Sequence, residues 1–164
     1  MINNKKIENF FNSLIQSNKP AIYAEDSVFS YKNILTKAIS LAWGLNKDYG
    51  IKKKDKIIIQ LDNSVEFIYC YLAALFSGFT IIPLDKNLGK KDFEYINNLI
   101  EPKLVIKTKD QLRYSSNQAF KFDTKEDDIF AVFFTSGTTG SPKGVCHTFN
   151  SLFNNALSFN QYVG

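Results

Sequence analysis

Residues 57–84, IIIQLDNSVEFIYCYLAALFSGFTIIPL, predict a strand, a helix and a second strand in succession. The first five residues form a short apolar run of strand length. Asn63 is a candidate N-cap for the helix, and Glu66 stands three residues later, as in a capping box. Gly78 is the expected helix end, because glycine readily adopts the left-handed conformation found there. The segment from Phe79 to Leu84 has the composition of a buried strand, so the whole stretch is typical of an α/β fold.

The apolar character of this stretch also raises the alternative of a membrane span. No charged residue occurs from Phe67 to Leu84, a run long enough on paper to cross a bilayer. However, Ser77 and Gly78 interrupt the run, and Pro83 would break a continuing helix. A buried helix followed by a buried strand is therefore the favoured interpretation, and no membrane span is expected.

Strand and helix patterns also alternate along the rest of the chain. Apolar residues recur at helical spacing in two upstream segments, and Ser30 and Gly50 are the expected ends of the second helix. The strands are apolar throughout, which indicates burial on both faces. We therefore predict an α/β domain with a mostly parallel sheet and helices on both faces. The remaining predicted elements are a strand at Ala21–Ala24, a helix at Asp92–Ile100, strands at Leu104–Ile106 and Ile129–Phe134, and a helix from Phe149 onward.

Composition and charge argue against several functional classes. The chain has 164 residues, which suits one domain, and its formal net charge is +4. Its densest basic run, from Lys52 to Lys56, contains no aromatic residue, so we interpret it as a solvated turn and expect no nucleic-acid partner. Cys70 and Cys146 form no C-x-x-C motif, and no apolar signal region precedes Glu8. These features predict a cytoplasmic protein without a disulfide framework or a zinc site.

The glycine-rich stretch FFTSGTTGSPKGV, residues 133–145, contains the candidate functional residues. It follows a predicted buried strand, and ligands of open α/β sheets bind at the carboxyl ends of the strands. Its glycines permit close backbone approach, its hydroxyl side chains are donors, and Lys143 supplies one positive charge. This composition favours a polyphosphate ligand, although a plain surface turn has the same residue types. The stretch is not a Walker A motif, because Lys143 lies between Pro142 and Gly144. It leads towards the helix that is predicted from Phe149 onward.

Ten contiguous residues, Thr135 to Gly144, resemble the phosphate-binding loop of the adenylate-forming, or AMP-binding, superfamily. That superfamily includes acyl-CoA synthetases, luciferases and the adenylation domains of peptide synthetases. Two weaker elements of the family are matched in the same order, by Phe29–Ile34 and by Leu75–Asp85. The resemblance extends from about Pro20 to the last residue. It departs from the family at Phe149, where many members have a histidine.

The resemblance implies an ATP-dependent ligase. In the family, a carboxylic acid attacks the α-phosphate of ATP bound with Mg²⁺, and pyrophosphate leaves. A thiol, such as coenzyme A or a carrier-protein arm, then usually captures the acyl-adenylate. Donors around the departing phosphates lower the barrier. By resemblance, Lys143 and Thr138 are the expected catalytic residues. The residues expected to bind ATP are Thr135, Ser136, Gly137, Thr138, Thr139, Gly140 and Lys143.

Two side chains beyond the loop are further candidates. His147 directly precedes Thr148, as in some acyl-CoA synthetases, but a lone histidine is more often structural. Cys146 has no base at a predictable distance, so packing is the expected role of its side chain.

Other parts of the family's machinery have no match in residues 1–164. Family members carry, downstream of the loop, a segment for adenine and magnesium, an aspartate for the ribose and a C-terminal lysine for the carboxylate. We therefore expect residues 1–164 to be the N-terminal portion of an adenylation domain, inactive alone. Its remaining part is then a separate chain of a split enzyme, or has been lost by truncation. The alternative is a non-catalytic module that keeps only a phosphate-binding loop. Neither the carboxylic acid nor the thiol is specified by these residues.

Overall fold

The computed structural model of the chain describes residues 4–24, 27–115, 124–135 and 140–163. The helices of this part are α1 (Asn4–Ile15), α2 (Tyr31–Tyr49), α3 (Val65–Ser77), α4 (Lys90–Ile100), α5 (Phe149–Val163) and a 3₁₀ turn at Lys109–Gln111. Its strands are β1 (Pro20–Ala24), β2 (Ser27–Ser30), β3 (Lys56–Ile59), β4 (Thr80–Pro83), β5 (Leu104–Ile106), β6 (Ile129–Thr135) and β7 (Lys143–Thr148).

Five of these strands form one mixed sheet in the order β5-β3-β4-β6-β7. The pairs β5–β3, β3–β4 and β4–β6 are parallel, whereas β6 and β7 form an antiparallel pair. The strands β1 and β2 form a separate antiparallel hairpin. The prediction of a mostly parallel sheet is confirmed.

Helices cover both faces of the sheet, as predicted. Ile57, Ile59 and Ile81 belong to the apolar cluster that contains buried residues of α1, α2 and α3. Ile58 and Ile82 belong to a second cluster, which contains the buried residues of α4. Alternate residues of a strand point to opposite faces, so α3 and α4 lie on opposite sides of the sheet.

The strands β3, β4 and β5 are parallel, but the successive crossovers that connect them run in opposite directions along the sheet. The chain passes from β3 through α3 to the adjacent strand β4, and then returns through α4 to β5 on the far side of β3. Right-handed crossovers that run in opposite directions place their helices on opposite faces. The carboxyl ends of β3 and β4 therefore border the crevice in which open α/β sheets bind their ligands.

The ends of α2 agree with the sequence prediction. The side chain of Ser30 accepts a hydrogen bond from the backbone N–H of Asn33 at 3.1 Å, which caps the first turn. Gly50 ends the helix with a φ of 63°, and Gly78 ends α3 with a φ of 69°. Both glycines adopt the left-handed conformation that other residues adopt only with strain.

The start of α3 differs from the prediction. Its N-cap is Ser64 and not Asn63, and the side chain of Ser64 makes no capping hydrogen bond. Glu66 does not complete a capping box but forms an ion pair with Lys109, with 2.8 Å between Oε2 and Nζ. The pair joins the first turn of α3 to the 3₁₀ turn after β5, so Glu66 serves a long-range contact that the local pattern does not reveal.

The uncharged run from Phe67 to Leu84 is divided between two elements. It contributes most of α3 and all of β4, with the chain turning at Gly78. Among the described residues, no helix is long and apolar enough to cross a membrane.

Acid is expected to destabilise the fold partly through Asp128, which lies just before β6. Burial raises the pKa of this carboxyl group, but the backbone N–H of Lys125 at 2.7 Å and the ammonium of Lys53 at 3.0 Å outweigh it and lower the pKa. A lowered folded-state pKa stabilises the fold above the ordinary pKa of about 3.9, and this stabilisation is lost as the pH falls through the folded-state value. Asp128→Asn should therefore cost about 1–3 kcal/mol at pH 7, and the deficit should shrink below about pH 4, as measured by urea unfolding.

The matched control is Asp62→Asn. Asp62 pairs with Lys86, but both side chains are at least half exposed, so this substitution should change the free energy of unfolding by less than about 1 kcal/mol. An Asp128→Asn deficit that stays constant from pH 7 to pH 3 would contradict the assignment of the acid sensitivity to this carboxyl group.

Candidate functional site

The glycine-rich loop connects β6 to β7 at the carboxyl edge of the sheet. Thr135, the last residue of β6, lies opposite Lys143, the first residue of β7, in the antiparallel register. Directly opposed residues have Cα atoms about 4.5–5.5 Å apart, so the two ends of the loop are held close together. Both residues are exposed, so a ligand at the edge can reach them.

The structure describes only part of the predicted phosphate site. Four of the predicted residues, Ser136, Gly137, Thr138 and Thr139, lie outside the described residues. The described residues bring Thr135, Gly140 and Lys143 to the two ends of the loop. Gly140 has a φ of 93°, a conformation that an L side chain rarely adopts, and no atom of the described residues lies within 4 Å of the position of a Cβ there. The exposed backbone at Gly140 is therefore open to a ligand.

The loop is followed directly by the strand β7, which the sequence analysis did not predict, whereas the helix predicted from Phe149 onward is confirmed. The helix α5 begins only at Phe149, after the six residues of β7. Its first backbone N–H groups already have acceptors: Phe149 donates to the carbonyl of Asp128 at 3.0 Å, and Asn150 donates to that of Glu126 at 3.0 Å. A helix N-terminus is thus not at the loop, and a phosphate there would depend on loop N–H groups, hydroxyl groups and Lys143.

Two neighbouring cavities lie at the same edge of the sheet. A cavity of about 330 Å³ occupies the crevice between the carboxyl ends of β3 and β4, and Asp62, Asp85 and Phe133 are among its lining residues. A second cavity, of about 160 Å³, lies beside it toward the loop, and Thr135 and Pro142 line it. Sequence patterns did not identify Asp62 or Asp85 as site residues, because the crevice arises from the order of the strands.

The two side chains beyond the loop have different surroundings. The ring of His147 is half-buried and makes an edge-to-face contact with Phe133, with ring centroids 5.2 Å apart. This contact agrees with a structural role for His147. Cys146 is exposed, so the expectation that it packs is wrong. Cys70 is the buried cysteine, and burial, with a smaller effect of Glu66, raises the pKa of its thiol to about 12, which makes it unreactive.

Phe149 explains the departure from the family pattern after Thr148. Its side chain is fully buried and lies 5.4 Å, centroid to centroid, from the ring of Phe153 in α5. The residue therefore belongs to the core, and a site on this chain has to be built without a histidine at that position.

Most of the chain matches a known protein family. A family model described as "AMP-binding enzyme" matches residues 13–164. The chain belongs to this family. Among curated relatives, an uncharacterized acyl-CoA ligase of Bacillus subtilis is 31% identical over 150 residues, which cover 73% of this chain and 28% of that protein. Gramicidin S synthase 2 of Brevibacillus brevis is 27% identical over 140 residues, which cover 76% of this chain and 3% of the synthase.

Solved structures of AMP-binding enzymes share the fold. ATP-bound MatB from Rhodopseudomonas palustris superposes with a TM-score of 0.80 at 25% identity, over 94% of this chain and 37% of MatB. The o-succinylbenzoate coenzyme A synthetase of B. subtilis, in complex with ATP and magnesium ion, superposes with a TM-score of 0.79 at 18% identity, over 95% of this chain and 47% of the synthetase. The chain thus spans less than half the length of the relatives described here.

Proposed function

We propose that this chain supplies the ATP phosphate-binding loop of a ligase that activates a carboxylic acid as an acyl-adenylate. The observation that carries the proposal is the β6–β7 hairpin, which holds Thr135 and Lys143 opposite each other at the carboxyl edge. An exposed cation, an exposed hydroxyl group and the open backbone at Gly140 converge on one small region there. These groups suit an anionic ligand of several oxygen atoms.

The proposed reaction is a substitution at the α-phosphorus of ATP. A carboxylate oxygen forms a bond to the α-phosphorus of ATP, the bond from that phosphorus to the bridging oxygen breaks, and pyrophosphate leaves with the electron pair. Negative charge therefore increases on the departing β- and γ-phosphates. In this proposal Lys143 stabilises that charge, and the loop N–H groups hold the phosphates in line for the attack.

Within the loop, Thr138 is proposed as the second catalytic residue, and Ser136, Gly137 and Thr139 as further phosphate ligands. The proposal rests on their place between Thr135 and Gly140, both of which are at the edge. A hydroxyl group at position 138 would donate a hydrogen bond to a phosphate oxygen, as Thr135 would from the end of β6.

The loop itself does not suit a magnesium ion. No aspartate or glutamate occurs from Phe133 to Phe149, whereas Mg²⁺ is usually held by one or two carboxylates besides phosphates and water. Among the described residues, no group of three or more potential metal-binding side chains comes together. We propose that ATP brings Mg²⁺ with its phosphates and that the protein ligands belong to the region of the family fold that this chain does not cover.

For the thiol that captures the acyl-adenylate, we propose only a chemical class. The relative named as an acyl-CoA ligase supports coenzyme A, and a carrier-protein arm is the alternative that the family resemblance implies. Residues 1–164 do not choose between them. The acyl substrate is a carboxylic acid of unassigned structure.

The isolated chain is expected to form no acyl-adenylate, because the loop contacts only the polyphosphate. Mixing it with a polypeptide that carries the remaining length of an AMP-binding enzyme, encoded beside it, should restore ATP–pyrophosphate exchange with a suitable carboxylic acid. The reason is that in-line attack needs the base, ribose and carboxylate held as well as the phosphates. The measurement is exchange of labelled pyrophosphate into ATP, screened over carboxylic acids.

Two outcomes would count against the proposal. Exchange by the pure monomeric chain would show that the further contacts are not needed. Saturable ATP binding that never leads to exchange, with any complement or acid, would favour a non-catalytic module that keeps only a phosphate-binding loop.

A further inference from the structure

The strand β7 forms an open edge of the sheet. In the part of the chain that the structure describes, β7 pairs with β6 on one side and with no strand on the other. Its first four residues, Lys143 to Cys146, are exposed. One row of backbone N–H and C=O groups therefore points away from the sheet, and such a row is a template for pairing with a further strand.

This edge has little of the protection that natural edge strands usually have. Such strands are blunted by charged side chains, proline or bulges. In β7 the one charged residue is Lys143 at its start, and no aspartate, glutamate, lysine or arginine occurs from Gly144 to Gly164. The strand contains no proline, and its register with β6 is regular from Ala131 to Thr135. The edge is therefore regular and mostly uncharged, as the core of a protein interface is.

The helix α5, which follows β7, extends the uncharged region. Phe149 and Phe153 pack in the apolar core. Ala156 and Phe159 continue the same spacing of three or four residues, but both are exposed, and Phe159 is 68% exposed. Exposed apolar side chains and a free strand edge are both features of protein–protein interfaces. We call these exposed residues, Lys143–Cys146 with Ala156 and Phe159, the β7–α5 region.

We propose that two copies of this chain associate through the β7–α5 region, with their β7 strands paired antiparallel about a twofold axis. The two five-stranded sheets then join into one sheet, and the edge at β7 is closed. An interface of this kind uses the same surface twice, so the surface has to be complementary to itself. An uncharged edge meets this condition, because pairing buries no charge without a partner.

The position of Lys143 agrees with a second copy as the occupant. Directly opposed residues of an antiparallel pair share one face of the sheet, so a twofold axis normal to the sheet passes through a single residue. The middle of β7 offers Val145 or Cys146 for this position. Lys143 then lies opposite His147 or Phe149 of the other copy, neither of which carries a formal charge at pH 7. The Cα atoms of the two lysines are roughly 14–20 Å apart along the strands, so like charges do not meet.

Pairing through β7 leaves the phosphate loop accessible. The antiparallel arrangement places the loops of the two copies at opposite ends of the joined sheet, and Thr135 belongs to β6, one strand away from the junction. The inference therefore goes beyond the proposed function and does not depend on ATP. Two six-residue strands and two exposed helix ends bury less than the roughly 1,200–2,000 Å² of a standard interface, so we expect a dissociation constant on the order of 10–100 µM.

Sedimentation velocity of the chain at concentrations that bracket this range tests the proposal. The unchanged chain should convert from monomer to dimer as its concentration rises. Val145→Lys places two like charges near the twofold axis and should weaken association by at least about ten-fold. Val28→Lys is the matched control, because Val28 is a similarly exposed valine of a strand outside the region. It should leave the dissociation constant within about two-fold.

Cross-linking locates the junction. Whichever of the two central residues lies on the axis, the Cα atoms of the two Cys146 residues are about 5–8 Å apart on the same face of the sheet. A short bis-maleimide should therefore link two copies through Cys146, whereas the buried Cys70 should not react. Cys146→Ser should abolish the link, and Val145→Lys should lower its yield while circular dichroism shows an unchanged fold.

Four results would overturn the proposal. The chain could remain monomeric at every concentration, or Val145→Lys could dimerise as tightly as the unchanged chain. Val28→Lys could weaken association as much as Val145→Lys does. Species that grow beyond a dimer, or a dimer without a Cys146 link, would also contradict it, because a twofold strand pair closes the free edge at two copies.

Discussion

Replacing Gly44 by alanine is expected to lower the free energy of unfolding by at least about 3 kcal/mol. Gly44 lies inside α2, where alanine is intrinsically the better helix former by about 1 kcal/mol. The structure reverses that expectation, because a Cβ on Gly44 would lie 1.9 Å from the carbonyl oxygen of Arg113 and 2.8 Å from the backbone nitrogen of Tyr114. Backbone atoms cannot move aside as a flexible side chain can. Urea unfolding measures the loss.

The close approach at Gly44 fixes the segment that follows the 3₁₀ turn against α2. Ser40 binds this segment twice: its hydroxyl donates to the carbonyl of Ser115 at 2.8 Å, and its own carbonyl accepts from the N–H of Ser115 at 3.0 Å. The hydroxyl of Tyr49 donates to the carbonyl of Gln111 at 3.0 Å. These hydrogen bonds hold α2 and the segment together on both sides of Gly44, and an added methyl group would push the two apart there.

Gly89→Ala is the control for this prediction. Gly89 precedes α4 with a φ of −56°, and within the described part of the chain no atom lies within 4 Å of the position of its Cβ. The substitution should change stability by less than about 1 kcal/mol. A Gly44→Ala chain that is as stable as the unchanged one would show that α2 and the Arg113 segment are not packed as described.

Lys143→Ala is expected to lower the rate of adenylation by about 10- to 100-fold in the complete or reconstituted enzyme. Lys143 is the only cation from Thr135 to Gly144, and the substitution removes one charge-assisted hydrogen bond to the departing phosphates. Because the charge develops in the transition state, the loss should fall on kcat and not only on the KM for ATP. Steady-state kinetics of acyl-adenylate formation provides the measurement.

Lys47→Ala is a suitable comparison, since Lys47 is exposed in the last turn of α2, outside the loop. It should leave the adenylation rate unchanged. Equal rates for Lys143→Ala and the unchanged enzyme would remove Lys143 from the proposed catalytic role.

The sequence was most informative where local chemistry decides the structure. The cap at Ser30 and the helix ends at Gly50 and Gly78 follow from side-chain hydrogen bonding and from the conformational freedom of glycine, both of which act within one helical turn. The parallel strands were predictable because burial on both faces requires continuous apolar runs.

The strand β7 was not predictable in the same way. Lys143, Gly144 and Cys146 give it a weak strand composition, and most of its residues are exposed. The strand forms because it pairs with β6 from Ile129 to Thr135. Strand formation of this kind depends on a neighbour and not on a pattern within the segment, so the sequence indicated no strand between the loop and the helix predicted from Phe149.

Other features depend on strand order, which no single segment determines. The crevice with Asp62 and Asp85 exists because the chain crosses β3 when it passes from β4 to β5. The clash that makes Gly44 necessary involves a segment about seventy residues away in sequence. The phosphate site was recognisable for the opposite reason, because its residues are contiguous from Thr135 to Gly144.

The most direct test of the central claim is a titration of the ¹⁵N-labelled chain with ATP. If the glycine-rich loop binds the phosphates, the amide signals of Thr135, Gly140, Ser141 and Gly144 should shift saturably, at millimolar ATP because the other ATP contacts are absent. Lys143→Ala should weaken this binding by about ten-fold or more. Saturable shifts that leave these four signals unchanged, or no saturable shift at all, would contradict the assignment of the loop to ATP.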